Sequence, residues 1–208
     1  MLNLMQSLLV FLLSFFSFQV LAGPFGLEQG MTLEQIKKIT ILEKGDFNYI
    51  YLAKQLPKGS DEVFGYVFTI TPKTGLCRIV TVSQGISVSP DGKELINEFN
   101  AYAKVLSKKY GDSSKKFDYL KVDSIWTGKK NWMYSMLERD RSLAYYWQSE
   151  KNKILPDSIS LIGLEALAAG GVKFGILEMV YEFNNFKHCE IIIQTDKNEN
   201  KNEKLKNF

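Results

Sequence analysis

The chain has 208 residues, 45% of them hydrophobic, and its 26 Lys and Arg against 23 Asp and Glu give a formal net charge of +3. Its lysines are scattered among acidic residues, which excludes the dense basic stripe that phosphate-backbone binding needs, so nucleic acid is not an expected partner. One histidine and two cysteines are too few for a soft-metal site, and no metal or other cofactor is implied.

Residues Met1 to Ala22 read as a signal peptide. An apolar centre from Leu8 to Phe18 is followed by Val20-Leu21-Ala22, whose first and third residues are small enough for a signal peptidase. Cleavage is expected after Ala22, leaving no membrane span and an exported, periplasmic or secreted chain from Gly23. No Lys or Arg precedes Lys37, which departs from the usual basic start, and the alternative is an uncleaved anchor helix. Export would carry Cys77 and Cys189 into an oxidising space, where a disulfide is expected. Its loop of about 110 residues would stabilise by roughly 4–5 kcal/mol in the chain-entropy model.

In chain order, Thr32 is an N-cap with Gln35 completing a capping box, and Leu33, Ile36 and Ile39 recur at helical spacing. Strand-like runs follow at Phe47–Leu52, Val63–Thr71 and Leu76–Val82, with Thr71-Pro-Lys-Thr-Gly75 as a hairpin turn. After Ser89-Pro-Asp-Gly92 the period lengthens: Leu95, Phe99, Tyr102, Ala103, Leu106 and Tyr110 form one helical face, ending at Gly111. Ser113 to Val122 reads as a polar connection, and Asp123 to Asp140 as partly helical. Strands resume at Ser142–Gln148, Ile159–Ala168 and Lys173–Phe183, the last two joined by Ala169-Gly170-Gly171. Cys189 lies in a final strand or a closing helix, and residues 196–208 read as a frayed polar tail.

This order implies an α+β fold: an antiparallel sheet with helices on one face, in a single domain over residues 23–195. Two helix-plus-three-strand halves, 23–90 and 91–195, would share that sheet or core.

The segment Gly30-Met31-Thr32-Leu33-Glu34-Gln35-Ile36 resembles the helix opening of small exported bacterial α+β proteins. These include β-lactamase-inhibitor-like domains and the small lipoprotein of the outer-membrane β-barrel assembly machinery. The resemblance implies a module that binds other proteins. The chain departs from the lipoprotein in having no lipid-acceptor cysteine at the leader and in being longer than one unit.

Catalytic equipment is sparse. His188 is the sole histidine and adjoins Cys189, but neighbours on a strand or helix diverge too far to make a Cys–His pair. Ser113-Ser114-Lys115-Lys116 has the Ser-x-x-Lys spacing of penicillin-recognising enzymes without their companion motifs, and reads as a solvated loop. Glu178 and Glu182 share one strand face, as a carboxylate pair or any surface ladder would. No catalytic residue is assigned. The rings of Trp126, Trp132, Tyr145, Tyr146 and Trp147 form the candidate binding face, for a protein or envelope-component partner. The competing expectation is a hydrolase with an unrecognised carboxylate or Cys77-based site.

Overall fold

A computed structural model describes residues 23–150 and 153–206, so the expected signal peptide lies outside the described residues. Nine antiparallel strands form one sheet: β1 (Glu43–Lys44), β2 (Ile50–Ala53), β3 (Val63–Thr71), β4 (Gly75–Ser83), β5 (Ile86–Ser87), β6 (Lys115–Leu120), β7 (Arg141–Gln148), β8 (Ile159–Ala168) and β9 (Phe174–Phe183). Their spatial order is β1-β2-β3-β4-β9-β8-β7-β6, with β5 short and paired to β9. Among the described residues four α-helices complete the α+β fold: α1 (Leu33–Lys37), α2 (Lys93–Tyr110), α3 (Trp132–Leu137) and α4 (Phe186–Lys206).

The sheet is thus two meanders, β1 to β4 and β6 to β9, joined through their last strands. The β4–β9 ladder, from Arg78↔Glu182 to Val82↔Glu178, is what makes one sheet of the two.

Local signals explain most elements. Thr32 Oγ1 accepts the Gln35 N–H at 3.2 Å and Gln35 Oε1 accepts the Thr32 N–H at 2.8 Å, the reciprocal cap expected from these residues. In α2, Leu95, Phe99, Ala103, Leu106 and Tyr110 are buried at three- and four-residue spacing. Before it, Gly92 has φ 68°, and a Cβ there would stand 2.1 Å from the Trp132 ring. Glycine at this turn therefore lets the indole close over the helix start.

Odd-numbered residues of β9, Leu177 to Phe183, are buried against α2, while the even ones are only half-buried. The inner face carries Phe68, Ile79, Ile162, Leu164 and Tyr181, and Phe99, Met133 and Ile36 from the helices complete the core. The last helix meets the sheet elsewhere. Phe186 lies 5.5 Å below the Arg78 guanidinium, and Arg78 and Glu182 project from the outer face, so α4 starts there, against β3 and β4.

Three readings of the sequence are corrected. Ser113 to Val122 is no loop, since β6 pairs along β7 from Lys115↔Tyr146 to Leu120↔Arg141. As an edge strand exposed nearly throughout, it needs no apolar alternation to form. Residues 196–206 continue α4 instead of fraying, and Tyr49 donates a hydrogen bond to the Asp196 carboxylate. The run at Phe47–Leu52 pairs only from Ile50, because Tyr49 adopts φ 67° in the preceding turn.

Candidate functional site

Register places the outer-face side chains in rows that cross the sheet. One runs Glu43, Leu52, Val67, Val80, Val180, Gly163, Tyr146, Lys115, each residue directly opposite the next. The next runs Gly65, Val82, Glu178, Glu165, Ala144, Phe117. Among the described residues α4 is the only helix seen on this side, at the β3–β4 end.

Apolar side chains in the middle of this face are half-buried by one another, while those at its edges are exposed: Phe117 and Tyr119 on β6, and Phe64 (70%) and Ile41 (86%) toward the β1–β3 edge. There a cavity of about 1040 Å³ opens, lined by Ile41, Leu52, Phe64, Val67 and Val82 with Thr40, Glu43 and Lys54 at its margin. Its size lies just above the usual range of ligand pockets, on the order of 300–1,000 Å³. Toward the opposite edge the Tyr146 ring lies across Gly163, where a Cβ would come within 3.2 Å of it, and packs edge-on to Phe117 with centroids 5.7 Å apart.

Between these aromatic ends stand the carboxylates. Glu165 and Glu178 are direct cross-strand partners, an arrangement that like charges destabilise. Burial, and then the Glu178 charge, raise the pKa of Glu165 above the ordinary carboxylate range, and burial followed by the two carboxylates raises that of Tyr146. Glu182 differs in having a cation: Arg78 Nε is 3.6 Å from its Oε1. Even so its pKa is raised, because burial outweighs an attraction too long to be a hydrogen bond.

The five candidate rings are not brought together. Trp147 is fully buried on the inner face, its Nε1–H donating to the Gly111 carbonyl at 2.8 Å. Tyr145 meets Phe99 edge-on at 4.9 Å, and Trp132 packs over Gly92 beneath the Arg141 guanidinium. Trp126 stacks on Tyr134 at 5.2 Å in the segment before α3. Only Tyr146 reaches the outer face. Alternation along β7 required Tyr146 to part from Tyr145 and Trp147; which side the helices would cover was not legible.

Cys77 and Cys189 lie at disulfide distance, with Cα atoms 6.6 Å apart, and no free cysteine is present. A β-bulge makes this pairing: Thr69 opposes Arg78 and Ile70 opposes Leu76, so Cys77 is the extra residue and its sulfur joins the outer side with α4. His188 is exposed on the first turn of α4. No group of three or more His, Cys, Asp or Glu able to hold a metal occurs among the described residues.

The fold defines a mostly antiparallel α+β protein. No family model, curated protein or solved structure matches the chain.

Proposed function

We propose that this chain is an exported binding module whose ligand surface is the outer sheet face, receiving an apolar segment of a protein or envelope component. One observation carries the reading: the continuous apolar row from Leu52 to Tyr146 ends in an open cavity with Phe64 and Ile41 at its mouth. Exposed apolar patches of this extent are usual at interaction sites. Glu165 and Glu178 suit a ligand that offers a basic group, which would relieve a repulsion the free protein bears. The Gly30–Ile36 resemblance points to the same class. Export rests on the Met1–Ala22 pattern, and the paired cysteines are compatible with it. No helix among the described residues is long and apolar enough to cross a membrane.

The hydrolase reading finds less support. In the paired state Cys77 has no free thiol, and the opposed carboxylates are not among the residues that line the cavity, although Glu178 stands across from Val82 at its wall. The binding reading is tested by passing envelope extract from the producing cell over the chain from Gly23 onward. Wild type and Lys104→Glu, on the exposed back of α2, should retain the same specific partner, and Phe64→Asp should lose it. Retention of nothing specific, or of the same species by all three, refutes the assignment.

A further inference from the structure

We propose that the chain self-associates through its free edge strand β6, two copies pairing antiparallel about Phe117 so that their sheets and outer faces run on into one. Among the described residues β6 pairs with β7 alone, and Phe117 and Tyr119 are 40% and 50% exposed. The inference is independent of the ligand surface proposed above.

Hydrogen-bond parity shows which backbone groups are free. Ser149 donates its N–H to Ser160, which turns odd residues of β7 toward β8 and even ones toward β6. In agreement, the Asp140 carbonyl accepts from Lys121 at 2.8 Å, and the Gln148 N–H meets Ser114 Oγ at 3.1 Å. With Phe117 opposite Ala144, residues 115, 117 and 119 bond inward to β7. Lys116 and Asp118 therefore present their N–H and C=O groups to the outside, and a further strand must bond through them.

About a two-fold axis normal to the sheet, three registers use those groups. Placing Lys116 opposite its own copy, or Asp118 opposite its own, sets like charges face to face. The third places Lys116 opposite Asp118 and, by symmetry, does so twice. It also sets Phe117 against its copy in the closer, non-hydrogen-bonded pair, and Lys115 across from Tyr119. Lysines on an edge usually deter strand addition. Here Asp118 supplies their complement, so the deterrent acts on other registers and not on this one. Asp118 makes no ion pair among the described residues, and the Lys116 ammonium rests 4.9 Å from the exposed side of the Tyr145 ring. Because the pairing spans only about five residues, its area is below that of a standard interface and association should depend on concentration.

Sedimentation velocity over a concentration series, on the chain from Gly23 onward, tests this. Wild type should pass from monomer to dimer. Lys116→Asp and Asp118→Lys should each weaken dimerisation at least about tenfold, because each puts like charges in both central pairs. An equimolar mixture of these two variants should recover it as a heterodimer, and the double variant as a homodimer. Both positions are exposed, and far-UV circular dichroism checks that every variant is folded. A wild type that stays monomeric, single variants that dimerise as wild type does, or a mixture without recovery would each overturn the proposal.

Discussion

Glu165 stands on β8 with apolar neighbours along its strand and a second carboxylate, Glu178, directly across from it. Burial first, then that neighbour, lifts its pKa, so between the unfolded and the folded value the folded protein holds a proton that the unfolded chain has released. For a carboxyl with a raised folded pKa, stability is complete below the unfolded value, about 4.3 for Glu, and falls as pH rises through the folded value. Glu165→Gln keeps the shape and removes the charge. Its unfolding free energy, from urea titrations across this range, should match wild type in acid and exceed it at neutral pH, the gap opening just above the ordinary carboxylate range. A constant gap at every pH would mean that the carboxylate bears no such load. The prediction also separates stability from binding: a substitution that stabilises the free protein while weakening ligand retention is the behaviour expected of a residue kept for recognition.

Helix α4 shows how an element can be held from its first turn. Asn185 precedes it, and the Asn185 carbonyl accepts the Cys189 N–H as an N-cap residue should. Its side chain does not cap. Instead Nδ2 donates to the Thr74 and Leu76 carbonyls, each at 3.0 Å, and so pins the helix to the β3–β4 hairpin beside the Cys77–Cys189 pair. With both thiols kept oxidised, Asn185→Ala should cost about 1–3 kcal/mol, since the Thr74 carbonyl loses its donor and the Leu76 carbonyl keeps only the Gly30 N–H. Urea unfolding measures this, and an unchanged midpoint would show that the helix is held by its other contacts alone. Elements of this kind differ in how well the sequence announces them. The α2 stripe and the β3–β4 and β8–β9 hairpins were legible because buried periodicity and turn residues act locally. Strand β6 was not, for its residues answer to pairing with β7 and are exposed on both sides. Nor was the bulge at Cys77, which decides the side of the sheet that receives α4. The binding candidates failed for a related reason: aromatic content marks burial and recognition equally, and Trp147 satisfies the first.

At the scale of the whole molecule, the two meanders are tied to each other four times. Their last strands pair as β4 and β9, and the cysteines link residues 112 apart, one in each half. The core is shared as well: Phe25, from the N-terminal segment, packs edge-on to Tyr66 at 5.1 Å and to Tyr181 of β9 at 5.7 Å. Strand β5 of the first half is paired to β9 and lies against α2 of the second. Neither half could cover its apolar inner face without the other, so unfolding should be a single event. All three tryptophans, Trp126, Trp132 and Trp147, lie in the second half, so their fluorescence reports it alone, whereas far-UV circular dichroism reports both. In urea the two signals should trace one coincident transition. The Cys77→Ser/Cys189→Ser variant should move that transition to lower urea, by about 4–5 kcal/mol of unfolding free energy in the chain-entropy model, and leave it single. A fluorescence transition separated from the dichroism transition would show that the β4–β9 ladder joins two independently stable units. The shared core around Phe25 and Tyr181 would then contribute far less than its packing implies.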